Sequence, residues 1–151
     1  MRIRRVASVA PMLLLVACTG SYWDNAPVVL GDRLQDRLTP ELASGQAGLR
    51  RLPDGAQVVL TDQALFPGGG TELDDRGRYV LASVIEGLLE PTILRIELTG
   101  TPGTPVSVQE ARLRSVTQYL EDFRLGPQLQ PAPPQDIAAQ GMAITVRVTP
   151  T

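Results

Sequence analysis

Between residues 57 and 148 the spacing of apolar side chains changes from two to 3.6 and back again, and that alternation limits the fold more than any other feature of the chain. Gln57, Val58, Val59, Leu60 and Thr61 follow a Pro53-Asp54-Gly55 turn and form a compact β-branched run, which predicts a strand. Leu73, Val80, Leu81, Val84, Ile85, Leu88 and Leu89, with Gly77 on the same stripe, recur at helical spacing and predict an amphipathic helix that stops before Pro91. A second strand over residues 92–98 carries Leu94, Ile96 and Leu98 on one face and Arg95 and Glu97 on the other. Val108, Ala111, Val116, Tyr119, Leu120 and Phe123 predict a second helix up to Gly126, with Ser107 and Glu110 spaced as a capping box. Ile144, Val146 and Val148 alternate, so residues 143–148 close the series as a half-buried strand. Strand, helix, strand, helix, strand predicts an α/β (α+β) two-layer sandwich in which two helices pack on one face of a small mixed sheet.

The segments between these elements carry their own signals. Phe66 leads into Pro67-Gly68-Gly69-Gly70, which lacks the Lys-Ser/Thr and the spacing of a phosphate loop and reads as a turn holding a buried Phe66. A glycine inside a helix costs about 1 kcal/mol against alanine, so Gly77 implies close packing against another element. Residues 100–105 form a loop of Gly, Thr and Pro alone, and residues 127–134, rich in Pro and Gln, read as loop or extended chain. Nearer the start, residues 19–30 lack a clear period and read as a tether. Residues 32–38 and 41–49 hold loose helical patterns broken by Pro40.

Composition removes several function classes. The chain has no histidine and one cysteine, which takes away the usual general base, the Ser-His and Cys-His nucleophile systems and the commonest zinc ligands. Neither a cofactor nor a metal is expected, and no internal disulfide can form. Asp74-Asp75 is the most conspicuous acid pair, but neighbouring helical carboxylates diverge by about 100° and suit the positive end of a helix dipole better than catalysis. Removing residues 1–17 leaves 134 residues with 11 arginines against 16 acids, a balance that disfavours nucleic acid. A non-catalytic protein is the expectation.

Residues 1–17 differ in pattern from the rest of the chain. Arg2, Arg4 and Arg5 precede an apolar run over residues 6–17, interrupted by Pro11, and the run ends in Leu15-Val16-Ala17-Cys18. A basic start, a short apolar stretch and small residues at the cut have the form of a secretory signal, and with cysteine next the pattern looks like the lipobox of bacterial lipoproteins. The resemblance implies that Cys18 carries the lipid and that residues 1–17 are a signal peptide. The alternatives are an ordinary signal peptide and a membrane span, the latter weakened by a run of 12 residues where about 20 are needed. Residues 18–52 then read as lipidated tether and short helical leader, and residues 53–151 as the folded domain.

Residues 58–148 hold a strand followed by Phe66, then Gly69, Leu73, Gly77 and Leu81 at regular steps. After the next strand come Arg112, Val116, Tyr119 and Leu120. With this pattern the segment resembles the OmpA-like domain of peptidoglycan-associated lipoproteins and of OmpA and MotB proteins. The resemblance implies noncovalent binding to the diaminopimelate of peptidoglycan, with Arg112 as donor to its carboxylate. The acid that the family places after the central strand falls here on Gly100-Thr101-Pro102-Gly103, and no acid lies between Thr99 and Gln109. The family's closing Asn-Arg-Arg falls near Gly141-Met142-Ala143, which has neither charge. The expectation is an outer-membrane lipoprotein, anchored on the periplasmic face, that tethers or organises the envelope with weak peptidoglycan binding. The alternative is the same fold without that binding, acting as an interaction module for another envelope protein.

Overall fold

The computed structural model describes residues 22–100, 104–132 and 141–149. Among the described residues five strands form one sheet: β1 (Ala47–Leu52), β2 (Gly55–Thr61), β3 (Leu94–Gly100), β4 (Leu129–Pro131) and β5 (Gly141–Val148). Their order is β1-β2-β5-β3-β4, antiparallel except for the parallel pair β3–β4, so the sheet is mixed as expected. The closing strand enters between β2 and β3, which therefore run parallel to each other with β5 as their shared antiparallel neighbour. Lying at the centre, β5 is buried on both faces over nearly its whole length, which explains the density of Met142, Ala143, Ile144 and Val146.

The helices are α1 (Tyr22–Arg37), α2 (Thr39–Ala43), α3 (Asp62–Leu65), α4 (Asp75–Gly87) and α5 (Val106–Asp122). The register places Ala56, Val58, Leu60, Ile144, Val146, Leu94, Ile96 and Leu98 on one face of the sheet. A single apolar cluster joins that face to Leu30 and Leu34 of α1, Val80, Leu81 and Val84 of α4, and Val116 and Leu120 of α5. Asp74 caps α4 by accepting from the Gly77 N–H at 2.8 Å, and Asp75 opens its first turn, so this acid pair serves the helix terminus. Gly77 is packed as its cost implied: a Cβ there would overlap the Leu65 carbonyl oxygen.

Three expectations need correction. The segment read as tether and leader belongs to the folded unit: Tyr22–Arg37 is helix, and Ala47–Leu52 is an edge strand of the sheet. Ala26, Leu30, Leu34 and Leu38 fall on a regular four-residue step and are at most 1% exposed, so among the described residues three long helices rather than two cover the sheet. The step was hidden because only one side chain in four is apolar and buried, and Pro27 and Gly31 interrupt the pattern. The capping box at Ser107 does not form, since α5 starts two residues earlier than the box requires, at Val106. The carbonyl of Pro105 accepts from the N–H groups of Val108 and Gln109, and no side chain caps the helix.

The opposite face of the sheet is polar. Gln57 donates to Thr145 Oγ1 at 2.9 Å between neighbouring strands, and Glu97, 3% exposed, accepts from Arg95 Nε at 3.0 Å and Nη2 at 2.6 Å. Arg147 lies 3.7 Å from the same carboxylate and donates to both oxygens of Asp54 at 2.9 and 2.8 Å, linking the β1–β2 turn to the middle of the sheet. The assignment of Arg95 and Glu97 to one face is met. Glu97 is nevertheless buried because its partners travel with it.

Candidate functional site

Arg112 lies in the second turn of α5, with its side chain only 10% exposed. Its guanidinium donates from Nε to the Gly70 carbonyl at 2.9 Å and from Nη2 to the Gly69 carbonyl at 3.2 Å, while Nη1 meets the Asp62 carboxylate at 2.9 Å. The same group lies 4.9 Å from the centre of the Phe66 ring, within cation–π range. The two halves of the sequence pattern, Phe66 and Gly69 in one and Arg112 in the other, thus meet at a single guanidinium. Buried Phe66 and the turn at Gly69, whose φ is +75°, match the expectation for the glycine loop.

Asp62 is the residue that sequence reasoning missed. The loop after β3 contains no acid. In space the end of β2 lies one strand away, because Thr61 pairs with Gly141 and Gly100 pairs with Met142. Thr61 caps the short helix α3 by accepting from the Ala64 N–H at 3.2 Å, and this turn carries Asp62 toward Arg112. A carboxylate therefore does stand beside the arginine, supplied from a different strand. The legible signal would have been the acid immediately after the first strand, read together with the strand order.

Asp62, Gly100, Thr104, Gln109, Arg112, Gly141 and Met142 line a cleft of about 10 Å³ at this end of the sheet. That is room for one water, far below the few hundred Å³ of a small-molecule site. A wider groove of about 340 Å³ lies between the start of α4 and α5, lined by Glu72, Leu73, Arg78, Ser115, Gln118, Tyr119 and Asp122. Its walls are tied by Ser115 Oγ donating to the Thr71 carbonyl at 2.6 Å and Tyr119 donating to the Arg78 carbonyl at 3.1 Å. Met142 and Ala143, where the family has charged residues, are buried at 4% and 0%. Cys18 lies outside the described residues, as do Thr101, Pro102 and Gly103.

A mixed sheet with its last strand inserted between two parallel neighbours and helices on one face match the OmpA-like fold. Solved structures bear this out. A MotB-like protein from Desulfovibrio vulgaris superposes with a TM-score of 0.63 at 14% identity, covering 83% of this chain and 96% of that one. The cell wall anchor of the T6SS from Pseudomonas aeruginosa gives 0.57 at 12% identity, over 80% and 99% of the two chains. The periplasmic domain of Helicobacter pylori MotB gives 0.50 at 17% identity, over 68% and 79%. At such identities the likeness is one of fold. No protein-family model and no curated protein sequence matches the chain.

Proposed function

We propose that this chain is a non-catalytic envelope protein, anchored by lipid on Cys18 to the periplasmic face of the outer membrane, whose OmpA-like domain tethers or organises the envelope. The observation that carries the reading is the meeting of Arg112 and Asp62 at the strand ends of this fold. A guanidinium beside a carboxylate is the pairing that a zwitterionic amino acid such as diaminopimelate requires, one for its carboxylate and one for its ammonium. The reading carries weak binding only, because the arginine is already engaged. The ligand must displace Asp62 or the Gly69 and Gly70 carbonyls from Arg112 and open a cleft that holds one water.

The second reading, a protein partner in place of peptidoglycan, is favoured by the groove between α4 and α5. It is far larger than the cleft and carries both signs of charge in Glu72, Asp122 and Arg78.

One experiment separates the two. The mature chain with Cys18→Ser is sedimented with purified sacculi, beside variants Arg112→Ala and Arg78→Glu. Peptidoglycan binding predicts a pelleted fraction that Arg112→Ala removes and Arg78→Glu leaves. Protein in the supernatant throughout eliminates the first reading. Crosslinking in intact envelopes, sensitive to Arg78→Glu, then tests the second. Loss of fatty-acid probe labelling in Cys18→Ser tests the anchor, and persistent labelling refutes it.

A further inference from the structure

The folded unit begins almost at the anchor. Only residues 19–21 separate Cys18 from the first residue of α1, a span of at most about 14 Å when fully extended. Ala26, the first core residue of α1, follows about 6 Å further along the helix axis. A lipid on Cys18 therefore holds the domain itself within roughly 20 Å of the bilayer, whatever the conformation of the intervening residues.

The surface nearest that anchor differs from the rest of α1. Val28 and Val29 are 56% and 44% exposed, although both lie in the half of the helix next to Cys18. The exposed positions of the other half are Asp32, Arg33, Gln35, Asp36 and Arg37, all polar. Tyr22 and Trp23 occupy the first turn, the residue types that gather where water meets lipid. Asp24 and Asn25 are exposed in the same stretch, and Asp24 complements the positive end of the helix.

We propose that the first half of α1, through Val28 and Val29, seats the domain on the bilayer that holds the Cys18 lipid, so that the protein rides on its membrane rather than hanging free from it. The proposal rests on the reading of Cys18 as lipidated. The seat also sets the direction of the candidate site. Val28 and Gly31 lie against Arg51 of edge strand β1, beside the β1–β2 turn. The Asp62–Arg112 cleft opens at the other end of β2, about 17 Å along the strand from Ala56. The membrane contact thus leaves the cleft uncovered.

Trp23 is the only tryptophan and reports on this helix directly. The full mature lipoprotein is reconstituted in phosphatidylethanolamine–phosphatidylglycerol vesicles with brominated acyl chains, and its fluorescence is compared with that of Val28→Glu/Val29→Glu. The expected result is quenched, blue-shifted emission in the wild type and quenching roughly halved in the double variant, with both proteins floating equally with the vesicles. Flotation without quenching, or equal quenching in the two proteins, overturns the seat while leaving the anchor intact. Failure to float, with no lipid mass on Cys18, overturns the anchor reading and the seat together.

Discussion

Arg112 does structural work before any ligand arrives. Its guanidinium joins α5 to the glycine loop and to the end of β2, through two carbonyls, one carboxylate and one aromatic face. Truncation to alanine leaves those carbonyls without their donors and opens a hole beside Phe66. We expect Arg112→Ala to destabilise the domain by about 2–3 kcal/mol, read as a lowered urea midpoint at unchanged slope. The figure is held below that of a fully buried pair because the Asp62 side chain is 38% exposed. Arg112→Lys should recover less than half of the loss, since an ammonium cannot donate along the three directions that the fork serves. Loss of sacculus binding in Arg112→Ala must therefore be measured on protein shown to be folded.

At the scale of elements, α1 is the part that the chain's own pattern concealed. Leu34 is fully buried and packs against Gly87 at the end of α4, while Arg37 of the same helix reaches Glu86 at 3.0 Å. Leu34→Ala is expected to cost about 2–5 kcal/mol, the range for a leucine emptied from a close-packed core, whereas a leader outside the core would lose almost nothing. Chemical denaturation separates the two outcomes. The polar face of the sheet makes a different prediction. The Arg147 pKa is raised, first by the hydrogen bond from Arg147 to Asp54, with the charges of Asp54 and Glu97 adding and burial opposing. A basic group raised on folding contributes stability that is fully present below its unfolded pKa and is lost only as pH climbs through the folded one. For arginine both lie far above neutrality. The stability cost of Arg147→Met should therefore be the same at about pH 6.5 and about pH 9.5, measured by urea denaturation at each.

For the whole molecule, the folded unit begins in α1 rather than at the turn before β2. A chain cut to residues 53–151 loses β1, which pairs along the length of β2, and uncovers Val58 and Leu60, both fully buried in the intact fold. We expect that fragment to show no cooperative thermal transition by circular dichroism, and a chain from residue 22 to show one. Under the proposed lipid anchor at Cys18, such a unit would have little slack. Its reach from that anchor would be set by the size of the domain more than by a linker.

What the sequence by itself determined follows from short-range periodicity. The strands at 57–61, 92–98 and 143–148, the helix ending before Pro91, the buried Phe66 and the tight packing at Gly77 could each be read from neighbours a few residues away, because pleat and helix repeats express burial locally. The edge strand Ala47–Leu52 was not legible, since its one exposed face and its two arginines leave almost no alternation. Nor was α1, whose single row of buried side chains is too narrow to stand out. Only the tertiary structure decided that β5 enters between β2 and β3, and this insertion brings Asp62 to Arg112 across 50 residues of chain. Strand order is a property of how buried faces close on one another, and no local pattern encodes it. The arginine of the candidate site was therefore visible in advance, and the carboxylate beside it was not.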